Sequence, residues 1–336
     1  MLRKIIALCL GLVLMSGLAM ALTLNGAGAT FPYPIYAKWF SDYQKEKGVQ
    51  INYAAIGSGG GIRQFTAGVV DFGASDAPMT SDEIQKAGGD VLHVPTVAGA
   101  IAVVYNAGFD GLKLDGETLA GIFLGDIKRW NDEKLAELNP GVNLPDKAIL
   151  VAHRSDASGT SDIFTNYLAK VSTDWAAKVG AGKSVAWPVG VGGKGNPGVA
   201  GAVKNNDGAI GYVEQAYAET NKLAVAKMRN KAGVFVEPSV NGTTAAMAGG
   251  VNKIPADFRG EILNQKGNSA YPICGMTWLL VHKNQANAEK GHALVDFLKW
   301  ALTDGQKSAT DLYYAPLPDQ LKNKVLAAIN GIVVKP

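Results

Sequence analysis

Val49-Gln50-Ile51-Asn52-Tyr53, then Ile56-Gly57-Ser58-Gly59-Gly60-Gly61, then Ile62 to Ala67 follow one another in the chain. The first segment alternates in the manner of a strand, the second reads as a glycine-rich turn, and the third has the look of a helix. The order recurs on both sides. Upstream, Gly26-Ala27-Gly28-Ala29-Thr30-Phe31 precedes a helix over Pro34 to Lys47, in which Ile35, Tyr36, Trp39, Phe40 and Tyr43 fall three and four apart. Downstream, Val69 to Ala74 reads as a strand ending at Ser75-Asp76, and Thr80-Ser81-Asp82-Glu83 carries the capping-box signature of a following helix. Strand, turn and helix in alternation predict an α/β domain with ligand groups at strand ends.

A second α/β region follows. Val91 to Tyr105 reads as a long strand passing between domains, Leu119 to Trp130 as a helix, and Ile149 to His153 as a buried strand. That strand leads into a third turn, Asp156-Ala157-Ser158-Gly159-Thr160, and an amphipathic helix marked by Ile163, Phe164, Tyr167 and Leu168. Ala209 to Val213 is a further strand, residues 228–270 are the least regular, and Ile273 to His282 reads as a second crossing strand before helices at Ala293–Ala301 and Leu321–Ile329. The expected architecture is two α/β domains joined by two crossing segments, with residues 22–95 and 272–336 forming a discontinuous domain I and 96–271 forming domain II.

The 336-residue chain is large enough for two cores. Lys and Arg exceed Asp and Glu by only three (32 against 29), so net charge supports neither nucleic-acid nor membrane-surface binding. Arg3-Lys4, the apolar run from Ile5 to Met20 and Ala19-Met20-Ala21 have the form of a cleavable signal peptide over residues 1–21. Cys9 leaves with it, and Cys274 then stands alone, so no intrachain disulfide is expected. The four His show no metal spacing, and neither a cofactor nor a catalytic set is expected.

Three Gly/Ser/Thr turns before helices, with Arg154 beside the third, suggest a cage for a small oxyanion: glycine allows close backbone approach, hydroxyls donate, and helix N-termini present unpaired N–H groups. Each has a plainer reading. Thr30 and Phe31 would cap a helix, Arg154 and Asp156 would form an ordinary turn ion pair, and Asp76 would be an N-cap near Pro78. Asp76 decides what the oxyanion is. An ionised carboxylate only accepts hydrogen bonds, so beside an anion it makes sense where the anion brings a proton, as phosphate does and sulfate does not. Gly190-Val191-Gly192-Gly193-Lys194-Gly195 matches a dinucleotide fingerprint by letter, but no clean strand precedes it, and it reads as a loop near the cleft mouth.

Gly26 to Pro34, Gly57 to Gly61, Asp71 to Pro78, Arg154 to Thr160 and Gly192-Gly-Lys-Gly-Asn196 closely resemble the periplasmic phosphate-binding proteins of Pst ABC transporters, over essentially the whole mature chain. The resemblance implies a type II periplasmic-binding-protein fold with a ligand cleft between the domains. It implies high-affinity phosphate capture without chemistry and delivery to membrane ABC permease subunits, by a periplasmic, monomeric protein. Carried over by motif, the ligand residues are Thr30, Phe31 (through its N–H), Ser58 and Asp76 from one domain. The other gives Arg154, Ser158, Gly159 (N–H) and Thr160, with Asp156 pairing Arg154. Two positions depart from the family pattern: Ala157 stands where Gly is common, and Gly59 where Ser is common. The rival expectations are a binder of sulfate or molybdate, a phosphatase or phosphotransferase using Ser58 or Ser158, and a surface adhesin that keeps the fold.

Overall fold

The structure is a computed structural model that describes residues 22–336; the expected signal peptide and Cys9 lie outside the described residues. The main sheet is built from β1 (Thr23–Gly28), β2 (Gln50–Ala55), β3 (Phe72–Ser75), β4 (Val91–Asn106), β5 (Leu150–Arg154), β6 (Val191–Gly193), β7 (Ala209–Glu214) and β8 (Cys274–His282). Its order is β2-β1-β3-β8-β4-β7-β5-β6. β1, β2 and β3 are parallel, as are β5, β6 and β7. Between these two parallel groups lie β8 and β4, antiparallel to each other and to their outer neighbours.

β4 changes partner along its length. Val91–Ala100 pair with β8, and Ile101–Asn106 pair with β7. Pro95 lies inside this strand, and the register against β8 slips beside it, between Thr277 and Trp278. A residue without an N–H is tolerated in a strand at such a bulge. The two stretches read as crossing strands are therefore β4 and β8, both almost wholly buried.

Around the sheet lie α1 (Tyr33–Lys47), α2 (Ser58–Thr66), α3 (Ser81–Lys86), α4 (Gly159–Val171), α5 (Gly195–Asn205), α6 (Ala288–Leu302) and α7 (Asp319–Asn330). The apolar stripe of α1 packs Phe40 against Phe72 and Phe297, at ring centroids of 6.2 and 5.5 Å, and the Trp39 indole donates to Gly305 O at 2.7 Å. The end of the chain thereby packs on its beginning. On the other side of the sheet's midline, Phe164 stacks on Tyr212 at 4.1 Å beside Phe123 and Trp187. Truncating such a buried aromatic typically costs about 3–5 kcal/mol.

Several local expectations are corrected. Gly26 and Gly28 are not in a turn but in β1, where a side chain at Gly28 would meet Ala74 O at 2.0 Å. Ser58 to Gly61 are not a turn before a helix but the first turn of α2. A methyl at Gly61 would meet Gly28 Cα at 2.4 Å, so the glycine run lets α2 lie against β1. The strand expected at 69–74 begins only at Phe72, and Val69 is exposed. The helix expected over 119–130 spans Gly116–Leu124 and stops at Gly125, whose φ is +79°. The irregular stretch contains a helix at Val240–Gly250, too rich in Gly, Ala and Thr to show an apolar period.

Candidate functional site

The two parallel groups of strands end toward each other, and the expected site residues sit at those ends. β1 hands the chain to Thr30 and Phe31, β2 to Ser58, β3 to Asp76 and β5 to Arg154. Thr30, Phe31, Ser58, Asp76, Arg154, Ser158 and Thr160 are all buried, although most are polar. Buried polar groups are costly unless hydrogen-bonded, and their partners are one another together with Asp156, Ser161, Asn196 and Thr277.

Ser58 Oγ accepts from the Asp76 and Gly159 N–H groups, each at 3.1 Å, and lies 3.4 Å from Asp76 Oδ2. Asp76 Oδ1 accepts from Thr277 Oγ1 at 2.8 Å. Arg154 grips Asp156 through both carboxylate oxygens, at 2.8 and 2.6 Å, and donates from Nη1 to Thr160 Oγ1 at 3.2 Å. Asp156 also accepts from the Gly195 N–H at 3.0 Å. Ser158 caps α4 through Ser161 N at 3.0 Å, and the following N–H groups of Gly159 and Thr160 belong to the first turn, which has no acceptor inside the helix. Phe31 is packed on Tyr314, whose hydroxyl donates to Phe31 O at 2.6 Å.

The plainer readings of Thr30 and Asp76 fail on geometry. α1 has no side-chain cap, and Thr30 Oγ1 instead accepts from Asn196. The cap of α3 is Thr80, with both bonds of the capping box formed, so Asp76 is not an N-cap. The Arg154–Asp156 pair is an ion pair within one turn, but its guanidinium is shut away from solvent, with 1% of the side chain exposed.

The two carboxylates are held in opposite ways. Burial pushes the Asp76 carboxyl up to about 7, because its hydroxyl partners and the more distant Arg154 only partly offset the lost hydration. Burial would also raise Asp156, but the two Arg154 bonds and the Gly195 N–H overcome it and hold that carboxyl below its usual range. A third acid, Glu214, lies at the end of β7. Burial keeps it well above its ordinary range although Tyr314 and the Ala216 N–H bond its Oε2.

Sequence reasoning missed two buried residues that touch the site. Asn196 donates to Thr30 Oγ1 and Thr160 Oγ1, so the stretch expected to be a loop at the cleft mouth is β6 and the start of α5, and it reaches the centre. Thr277 was hidden in an apolar crossing strand, where a lone hydroxyl was the available signal. Elsewhere, His153 is half-buried and stacked on Trp187. Cys274 is buried, with its thiol pushed up to about 12 by desolvation. Among the described residues, no group of three or more His, Cys, Asp and Glu is placed to hold a metal ion, and no helix is long and apolar enough to cross a membrane.

A family model described as "PBP superfamily domain" matches residues 18–304. The phosphate-binding protein PstS of Pasteurella multocida is 48% identical over 91% of this chain and 90% of its own length. That of Methanocaldococcus jannaschii is 42% identical over 91% and 85%. The chain belongs to the PstS family of the PBP superfamily. The PBP fold extends to more distant solved structures. One is a high-affinity periplasmic phosphate-binding protein bound with phosphate, with a TM-score of 0.72 and 23% identity over 94% of this chain and 100% of that one. Another is the phosphate binding protein of Stenotrophomonas maltophilia, with a TM-score of 0.68 and 22% identity over 91% and 94%.

The two positions expected to depart from the family pattern meet in space. Gly59 N donates to Ala157 O at 2.9 Å, and a Cβ on Gly59 would lie 2.4 Å from the Ala157 methyl. Ala157 is not among the non-glycine residues with positive φ, so the turn accepts alanine without strain. The methyl at 157 occupies the room that a serine at 59 would need.

Proposed function

We propose that this protein binds inorganic phosphate at the residues just described, without chemical change, and passes it to the membrane permease of an ABC transporter. In this reading residues 22–95 with 272–336 form one domain, 96–271 form the other, and β4 and β8 carry the chain between them. Thr30, Phe31, Ser58 and Asp76 supply one half of the anion shell, and Arg154, Ser158, Gly159 and Thr160 supply the other. Hydroxyls and N–H groups from two helix starts solvate the anion. Asp156 spends most of the Arg154 charge, so attraction comes mainly from neutral dipoles. The reading also has the protein exported to the periplasm, cleaved before Leu22 and working as a monomer.

The observation that carries this reading is Asp76, a buried carboxyl inside a ring of donors. Whichever partner holds it, one proton sits between Asp76 and a phosphate oxygen. Sulfate brings none, and two unprotonated anions in a desolvated site repel. The test is a calorimetric titration at pH 8 on protein stripped of ligand. Tight phosphate binding with sulfate weaker by at least ~10-fold, as expected one pH unit above the Asp76 carboxyl, supports the reading. Equal affinity for the two overturns it. Arsenate, which carries a proton similarly, is expected to bind. N-terminal sequencing of the periplasmic fraction tests cleavage before Leu22.

A further inference from the structure

We infer that Asn196 is a positioning residue that fixes which way the Thr30 and Thr160 hydroxyl protons point. A hydroxyl has one proton and two lone pairs. Thr30 Oγ1 accepts from the Asn196 N–H at 3.1 Å and from Asn196 Nδ2 at 2.9 Å. Thr160 Oγ1 accepts from Asn196 Nδ2 at 3.1 Å and from Arg154 Nη1 at 3.2 Å. Both lone pairs of each oxygen are used, so each proton must be given to some other acceptor. That makes both threonines obligate donors toward an anion in the site.

The amide cannot serve with its ends exchanged. Asn196 Oδ1 accepts from the Glu214 N–H at 2.9 Å, which leaves Nδ2 facing the two threonines. Glycine at 195, with φ of +68°, turns the chain into α5 at this point and lets the Asn196 N–H and side chain reach Thr30 together. A neutral donor is needed here. A carboxylate in the same place would draw both hydroxyl protons to itself and away from the anion. Asn196 also links residues far apart in sequence, since Thr30 lies before α1 and Thr160 lies in α4.

The inference rests on the phosphate reading and is tested by a double-mutant cycle on the full chain, read as the dissociation constant of inorganic phosphate. Asn196→Ala is expected to weaken binding ~10–50-fold in the wild-type background, since it loosens two hydrogen bonds to a charged ligand. In a Thr30→Val, Thr160→Val background the same change is expected to cost less than about threefold, because the hydroxyls it orients are gone. Equal losses in both backgrounds, or no loss in either, overturn the inference and leave phosphate binding intact. A wild-type protein that fails to bind phosphate overturns the ligand reading and this inference with it. Should Asn196→Ala not fold, as melting without phosphate would reveal, the isosteric Asn196→Asp is used. It is expected to bind at least ~100-fold more weakly than wild type, and wild-type affinity in that variant overturns the inference.

Discussion

Two carboxylates flank the same site from opposite sides, and the fold treats them differently. Asp156 is held in a two-oxygen grip by Arg154 and keeps its charge easily. Asp76 is fully desolvated, bonded by the hydroxyl of Thr277 and close to that of Ser58, and reaches about 7. Both are Asp just past the end of a strand, Asp76 after β3 and Asp156 after β5, so local sequence does not separate them. The difference lies in what the tertiary structure brings to each. One Asp serves the protein's own cation and sets its charge and angle. In the proposed reading the other is left available for a proton that arrives with the ligand.

The comparison breaks most severely where the charged pair is cut. Arg154→Ala leaves Asp156 beside the anion without its partner. Removing one member of a buried pair costs roughly 3–5 kcal/mol, so phosphate affinity is expected to fall by a few hundred- to a few thousand-fold in a calorimetric titration. Asp156→Asn, by contrast, is expected to leave phosphate bound while raising the affinity for sulfate and phosphate alike. A selective gain for sulfate in that variant would mean that discrimination sits at the wrong carboxylate.

Asp76→Asn tests the other member through stability. The Asp76 carboxyl is raised in the folded protein, from 3.8 to about 7, so the folded state holds the extra proton between those values. The stability that Asp76 contributes is therefore greatest at low pH and is lost as pH rises from about 4 to about 7. Substitution by Asn removes that loss. Ligand-free Asp76→Asn is expected to be more stable than wild type at pH 8 by on the order of 2–4 kcal/mol and little different at pH 4, as read by denaturant titration. Equal stability at pH 8 would show that the carboxyl is not desolvated.

A smaller effect comes from the close approach of Gly59 and Ala157. Gly59→Ser places a side chain against the Ala157 methyl. Overpacking costs about 1–3 kcal/mol, expected here as a loss of phosphate affinity of about tenfold. Adding Ala157→Gly should restore most of it. A double variant no better than the single would show that the two departures from the family pattern are unrelated.

The smallest effect is at the rim. Lys183 bonds both oxygens of Glu83 at 3.0 and 3.2 Å, tying α3 to the loop before β6. Partly exposed pairs contribute about 0.2–1 kcal/mol, so Glu83→Gln is expected to weaken phosphate binding by less than about fivefold, and less again at high salt.

Much of this was legible in the sequence because strand, turn and helix periods are local. The capping box at Thr80, the long strand at 91–106 and the helix starting behind Ser158 follow from patterns of a few residues. The glycine run at 59–61 was misplaced because glycine signals a turn and a close helix approach alike, and only the position of β1 distinguishes them. Asn196 and Thr277 escaped for the same reason. Their roles depend on partners 166 and 201 residues away, and no local period records those.

The central claim is that Asp76 accepts only an anion that shares a proton with it. Sulfate titrated into ligand-free wild type from pH 5.5 to 8.5 tests this most directly. Sulfate can bind only when Asp76 itself carries the proton, so its affinity should be level below about pH 7 and fall close to tenfold per pH unit above it, while phosphate, bringing its own proton, stays nearly flat over the upper range. A sulfate affinity that does not change across pH 7 would contradict the account.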